Sequence, residues 1–157
     1  MKKEMVKEID ASEAYNNVDA LQTVIDNRRN ICLIFLKDPN IERKVLENGL
    51  KFIEVEQRRH FGLRTSIIYR KGSEKEANRL YEIMKSHGGY VNDQTPEEAY
   101  EIGKLFGYTD KSIFKYIDRI YINENGVLRH RTTEEIFKYD ETYELQTKNT
   151  DKKEDKI

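Results

Sequence analysis

Positively charged side chains are concentrated in one stretch of the sequence, between Gln57 and Ser73, where no carboxylate occurs. Arginine can hold phosphate oxygens through two parallel hydrogen bonds, so this stretch could bind nucleic-acid backbone, a nucleotide or an acidic protein. The same charges could instead protect a sheet edge from aggregation or pair with carboxylates elsewhere, and the sequence leaves both interpretations open. The candidate anion-binding residues here are Arg58, Arg59, His60, Arg64, Arg70 and Lys71.

Residues for acid–base, metal or cofactor chemistry are sparse. His60 follows two arginines, whose positive charges disfavour protonation of the imidazole. A general base must be unprotonated, so His60 fits that role, but no nucleophile motif accompanies it. Cys32 and the three histidines are too scattered for a zinc site, so we expect no metal. Gly88-Gly89 follows a predicted helix, whereas a dinucleotide motif follows a strand, and we expect a helix exit there and no cofactor. Cys32 lies in an apolar segment and is predicted to be inert.

A second candidate site lies near Gly103. This small residue is followed four positions later by Gly107 and then by apolar residues at Ile113 and Tyr116. The spacing over residues 96–120 resembles the helix-turn-helix unit, which implies that residues 110–120 form a recognition helix. On that resemblance, the side chains able to reach base edges or phosphates are Thr109, Lys111, Ser112 and Lys115.

Two observations weigh against DNA contact by this unit. Asp110 and Asp118 would repel phosphate, and glycine-turned helix pairs also pack protein cores without touching DNA. Residues 102–108 are in addition similar to the L-G-x-L-L-G-Y-P signature of an uncharacterised prokaryotic domain family. Thr109 replaces the proline of that signature, and Lys111-Ser112 stand where a cysteine pair would follow. This similarity therefore implies no thiol chemistry and supports only a compact α/β fold.

Hydrophobic spacing and capping residues predict the elements that position these side chains. Ser73 and Glu76 form a predicted capping box, and Thr95-Pro96 opens a further helix. Asn125-Gly126 is the strongest short hairpin signal, although the segment could also be a loop. The predicted helices are 17–28, 41–46, 74–86, 96–106 and 110–120, and the predicted strands are 31–36, 50–56 and 63–69, the last two paired as a hairpin.

The fold class that follows is α/β, with α+β as an alternative. We predict a single small domain over residues 17–143, in which helices flank a three- or four-stranded sheet and a helix pair lies towards the C-terminus. The polar ends predict a flexible leader over residues 1–16 and a disordered tail over residues 144–157. The longest apolar run, residues 31–36, is too short to span a membrane. With one cysteine and no secretory signal, the cytoplasm is the expected location.

Composition limits the function classes further. The 157 residues include 28 Lys and Arg against 29 Asp and Glu, a net charge of −1, so nucleic-acid binding would need a local patch. We predict a non-enzymatic cytoplasmic regulatory or accessory binding protein that contacts nucleic acid through the helix-turn-helix-like unit and the basic hairpin. The alternatives are a protein-binding adaptor, or a small enzyme acting on a phosphorylated metabolite through Arg58, Arg64 and His60.

Overall fold

A computed structural model describes residues 7–14, 16–35, 38–57, 64–89 and 94–154, with side chains up to residue 144 other than that of Arg64. These residues form a mixed α/β structure, which confirms the predicted fold class. After a 3-10 helix at Ala11–Ala14, the elements in chain order are α1 (Asn17–Ile25), β1 (Ile31–Phe35), α2 (Pro39–Glu47), β2 (Lys51–Glu56), β3 (Arg64–Tyr69), α3 (Glu74–Ser86), α4 (Pro96–Leu105), α5 (Asp110–Ile120), β4 (Tyr121–Glu124), β5 (Val127–His130) and α6 (Thr133–Glu154).

Three of the strands form one antiparallel sheet in the order β1-β3-β2. The central strand β3 pairs Ile67 with Leu33 on one side and with Ile53 on the other. Successive strand residues point to opposite faces, and both Ile67 and its neighbour Ile68 are buried. The sheet is therefore covered on both faces, which explains the long apolar run of β1. Residues 121–130 form a separate two-stranded sheet and do not add a fourth strand to this one.

One face of the sheet packs against α3 and α4. Ala77, Leu80 and Met84 recur at helical spacing along α3 and are buried in this cluster, together with Ile102 of α4. Helix α3 has the predicted bounds, but the predicted capping box at Ser73 is wrong. The Ser73 side chain is buried and makes no capping bond, because its backbone is not in the extended conformation of an N-cap.

The other face of the sheet packs against α1 and α2. Leu21 and Val24 of α1 and Val45 of α2 lie against the buried Cys32 and Ile68 of the sheet. The bounds of both helices differ from prediction, at the C-terminal end of α1 and at both ends of α2. Helix α1 ends three residues early, before a residue with φ of 61° at position 27. Helix α2 begins at its proline, since the preceding aspartate side chain caps it.

The described part of the N-terminal segment is docked, so the prediction of a flexible leader is wrong for residues 7–14. Ile9 is 1% exposed. Its N–H donates to the Gly107 carbonyl at 2.8 Å, and its carbonyl accepts from the Thr109 N–H at 3.1 Å. Composition marked this segment as polar, but one buried isoleucine and two backbone hydrogen bonds hold it against the turn between α4 and α5.

The chain divides into two compact units, residues 1–113 and residues 114–157. In the second unit, β4 and β5 pair across Asn125 and Gly126, whose positive φ values of 54° and 83° are those of a tight hairpin turn. The hairpin prediction is confirmed. Helix α6 starts at a capping box in which Thr132 and Glu135 exchange side chain to backbone hydrogen bonds. It extends to Glu154, past residue 144 where we predicted a disordered tail.

Candidate functional site

The predicted basic hairpin is divided by the geometry of β3. Arg58, Arg59 and His60 lie outside the described residues, as does the side chain of Arg64. Arg64 begins β3, whereas Arg70 and Lys71 follow its other end. A strand rises about 3.3 Å per residue, so Arg64 and Arg70 are separated by about 20 Å. Arg70 and Lys71 therefore lie at the end of β3 opposite the connection from β2.

Arg70 is committed to the fold. Its guanidinium donates to the Val24 carbonyl at 2.8 Å, which satisfies a carbonyl in the last turn of α1. Lys71 is exposed in the turn that follows β3. Of the two basic residues at this end of the strand, Lys71 is thus the one whose charge faces solvent.

The α4–α5 unit has the packing that its sequence spacing predicted. A Cβ on Gly103 would lie 2.6 Å from Cγ1 of Ile113, so the two helices meet closely at this glycine. Gly107 has φ of +77° in the turn between them. These contacts are those of a helix crossing, and core packing requires them whether or not the unit binds DNA.

The side chains predicted to read DNA differ in their availability. Ser112 is 8% exposed, and its hydroxyl accepts a hydrogen bond from the Ala11 N–H at 3.2 Å, so the expectation that it is exposed is wrong. The Thr109 hydroxyl accepts from the Ser112 N–H and caps α5. Lys111 is exposed. In the second unit, the Lys115 ammonium lies 5.0 Å from the centroid of the Tyr143 ring.

Two arginines elsewhere in the described chain pair with acidic neighbours. Arg79 bonds Glu101 through two nitrogens, at 2.6 and 2.9 Å. Arg129 bonds Glu135 through two nitrogens at 2.9 Å, which lowers the pKa of the Glu135 carboxyl to about 2, with a smaller lowering from the hydrogen bond that its carboxylate accepts from the Thr132 N–H. Such pairs compete directly with phosphate for the guanidinium groups.

Within the first unit, a cleft of about 420 Å³ lies between the end of β2 and the end of α3. Sites for small molecules commonly have volumes of about 300–1,000 Å³. We call it the β2–α3 cleft, and its lining residues are Val55, Glu56, Gln57, Tyr81, Lys85, Gly88 and Gly89.

The glycine turn after α3 forms one wall of this cleft. Gly88 and Gly89 have φ values of +71° and +93°, and the Gly89 N–H donates to the Met84 carbonyl at 2.7 Å. A Cβ on Gly89 would lie 2.2 Å from the carbonyl oxygen of Glu56, so the turn packs directly on the backbone of β2. The turn amides close the helix, as predicted for a helix exit. They do not form a phosphate cradle.

The polar groups of the β2–α3 cleft carry both signs of charge. Glu56 supplies a carboxylate at the end of β2, and Lys85 supplies an ammonium on α3. Tyr81 precedes Lys85 by four positions, so both lie on one face of the helix. The sequence did not predict this cleft, because its lining comes from β2 and α3, which are distant in the chain. The Gly88-Gly89 pair was the one feature of the local sequence that pointed to this position.

Other chemistry-bearing groups are inaccessible or structural. Cys32 is 0% exposed, and burial raises the pKa of its thiol to about 12, so it is inert as predicted. His87 lies 3.0 Å from a Glu98 carboxylate oxygen, and this hydrogen bond is the main cause of the lowered pKa of Glu98. Among the described residues, no three His, Cys, Asp or Glu side chains lie together as metal ligands. No helix in the described ranges has the length and hydropathy to cross a membrane.

The fold of this chain is similar to that of a protein of known structure. No family model matches the chain, and no curated protein matches it. Among solved structures, the chain is similar to the bacterial cysteine methyltransferase effector NleE, with a TM-score of 0.59 and 20% sequence identity. The likeness covers 75% of this chain and 68% of that one. At this identity it establishes a shared fold and does not extend to activity.

Proposed function

We propose that the β2–α3 cleft binds a small zwitterionic molecule of the amino-acid type, and that the protein is a methyltransferase whose donor is a sulfonium compound of the S-adenosylmethionine class. The observation that carries the proposal is the placement of Glu56, Tyr81 and Lys85 around a single cleft of about 420 Å³. The Glu56 carboxylate suits an α-amino group, and the Lys85 ammonium suits an α-carboxylate.

The aromatic side chain narrows the ligand class. A cation placed over the face of a tyrosine ring is attracted by the ring quadrupole, and a sulfonium is such a cation. The Tyr81 ring in the lining of the cleft therefore suits the positive sulfur of such a donor. The fold that this chain shares with a cysteine methyltransferase is the reason for proposing methyl transfer.

Methyl transfer from this donor to a thiol is a displacement at carbon. A thiolate of the acceptor attacks the methyl carbon, and a sulfur–carbon bond forms as the bond from the donor sulfur to that carbon breaks. The electron pair of the broken bond stays on the donor sulfur, which becomes a neutral thioether. Cys32 is buried and its thiol pKa is raised, so the acceptor thiol belongs to another molecule.

This function falls in the class of small enzymes that the sequence left as an alternative. The lining of the cleft ends at Gln57, and Arg58, Arg59 and His60 are the next residues in the chain. Those residues remain candidates for contacting the ligand or its acceptor. We propose a zwitterionic ligand and not the phosphorylated metabolite of the sequence-based alternative. The reason is that the described lining of the cleft contains a carboxylate as well as its one ammonium.

Calorimetric titration of the full chain with S-adenosylmethionine and with S-adenosylhomocysteine tests the proposal. We expect both to bind, and Lys85→Glu to weaken binding about tenfold through loss of one charge-assisted contact. Lys75→Glu is the matched control, since Lys75 is exposed on the same helix and does not line the cleft. Absence of binding to the unaltered chain, or equal weakening by both variants, would reject the proposal.

A second candidate function is nucleic-acid binding by the α4–α5 unit. The exposure of Lys111 in the first turn of α5 favours it, since the helix-turn-helix resemblance places a base or phosphate contact there. Lys111 is the exposed residue that would contact phosphate. A mobility-shift assay with duplex DNA at low salt should then show binding that Lys111→Glu abolishes and Lys75→Glu preserves. Unchanged binding in Lys111→Glu would remove this helix from consideration.

A further inference from the structure

A groove lies on the face of the sheet that also carries α1 and α2, beside the edge strand β2. Ile34, Ser66 and Glu54 are cross-strand neighbours in its floor, as are Ile68 and Phe52. We call it the α2–β2 groove, and it has a volume of about 170 Å³. Its lining residues are Ile34, Asp38, Ile41, Glu42, Val45, Leu46, Phe52, Glu54, Ser66 and Ile68.

Apolar surface is left open along this groove. The floor residues Ile34, Val45 and Ile68 are buried, but Leu46 is 70% exposed and Phe52 is 51% exposed. Helix α2 therefore covers the central strand and leaves the outer strand β2 uncovered on this face. Large apolar side chains exposed together beside a cavity are typical of interaction sites.

The charge of the groove has one sign. Asp38 and Glu42 at the start of α2 and Glu54 of β2 contribute three carboxylates to its lining. The lining residues within the described chain include neither lysine nor arginine. An occupant that complements this surface must combine apolar side chains with positive charges at their flanks.

The size of the groove favours the side chains of a peptide over a small-molecule ligand. At about 170 Å³ it is smaller than the 300–1,000 Å³ that is usual for small-molecule sites. It can accept apolar side chains that protrude from a larger partner. An amphipathic helix inserts its apolar face into a hydrophobic groove in this way.

We infer that the α2–β2 groove docks a basic amphipathic peptide segment of another protein, whose apolar side chains contact Leu46 and Phe52 and whose lysines or arginines face Asp38 and Glu42. This inference goes beyond the proposed function. The groove and the β2–α3 cleft have no lining residue in common, so either site can fail in its test while the other stands.

Fluorescence anisotropy with defined peptides tests the inference on the full chain. The probe is a labelled 14-residue helical peptide made of leucine and lysine, compared with its leucine–glutamate counterpart and with a lysine peptide of the same charge in which alanine replaces leucine. We expect the leucine–lysine peptide to bind at least about tenfold more tightly than either of the others. Equal binding of the leucine–lysine and alanine–lysine peptides would show simple charge attraction and overturn the inference.

Variants of exposed residues locate the binding surface without threatening the fold. Leu46→Ser and Glu42→Lys should each weaken binding about fivefold or more, through loss of apolar contact and of charge complementarity respectively. Glu47→Lys on the same helix and Val127→Ser in the other unit are matched controls, since both residues are exposed and lie outside the groove. Failure of the unaltered chain to bind the probe, or equal losses in the control variants, would also overturn the inference.

Discussion

Replacing Gly89 with alanine tests whether the glycine turn builds the β2–α3 cleft. Gly89 has φ of +93°, and a Cβ there would lie 2.2 Å from the Glu56 carbonyl oxygen. Gly72 is a matched control, because its φ is +100° and a Cβ there would meet nothing within 4 Å. Gly72→Ala therefore carries the cost of the backbone conformation alone, and Gly89→Ala adds a clash between two backbones.

The structure sets the size of the expected difference. A residue other than glycine in such a conformation costs about 1–3 kcal/mol. In Gly89→Ala the turn and β2 must also separate by roughly 0.8 Å to reach even a 3.0 Å contact. No side-chain rotation can relieve this clash, and overpacking of this kind costs about 1–3 kcal/mol. We expect Gly89→Ala to lower the free energy of unfolding by about 2 kcal/mol more than Gly72→Ala does.

Urea unfolding followed by circular dichroism measures both losses, with the midpoint compared at constant slope. Because separation of the turn from β2 reshapes the cleft, Gly89→Ala should also weaken binding of S-adenosylmethionine, whereas Gly72→Ala should leave it unchanged. If the two variants lose the same free energy within about 0.5 kcal/mol, the turn is not held against β2 and the reasoning about the cleft wall is wrong.

Four further substitutions test the packing of the first unit. The buried guanidinium of Arg29 donates to the Thr23 hydroxyl and to two backbone carbonyls. Arg29→Met should therefore lower the free energy of unfolding by about 3–5 kcal/mol. A loss below about 1 kcal/mol, measured by urea unfolding, would contradict this prediction. Gly103→Ala should destabilise the protein, because the added Cβ would clash with the Ile113 side chain. Ile113→Ala removes the clashing atoms, so it should lower the free energy of unfolding less in the Gly103→Ala background than in the unaltered chain. Additive losses in a double-mutant cycle would refute this contact. The lowered pKa of Glu98, due first to its hydrogen bond with His87, gives stability that is present above the ordinary pKa of 4.5 and is lost as pH falls through the lower folded value. Glu98→Gln should therefore flatten the fall of Tm below pH 4.5, and an unchanged slope would count against this pair.

The elements with strong local signals were predictable from the sequence. The bounds of α3 agree with the prediction, the capping box at Thr95 is present, and Asn125-Gly126 joins two short strands. In each case the deciding interactions join residues within a few positions of one another, so the local sequence contains them. The capping box at Ser73 is the exception, because the Ser73 backbone is not extended and its side chain makes no capping bond.

The distribution of charge was not predictable in the same way. The sequence places several cations between Gln57 and Ser73, yet β3 carries Arg70 away from Arg64 and directs it to a carbonyl of α1. The nucleic-acid hypothesis required cations to converge on an exposed patch. Whether the cations converge depends on the direction of the strand and on which carbonyls and carboxylates lie near each cation. Neither property can be predicted from the spacing of residues along the sequence.

The sequence by itself determined α1 to α5, the strands and the mixed α/β class, because hydrophobic period and capping act over a few residues, but helix α6 was not predicted. The tertiary structure alone decided the two cavities. Gly89 meets Glu56 across more than thirty residues of chain, and Phe52 is 51% exposed on the outer strand β2 beside the groove. Cavities are made by the packing of distant segments, and the order of residues does not specify that packing until the chain has folded.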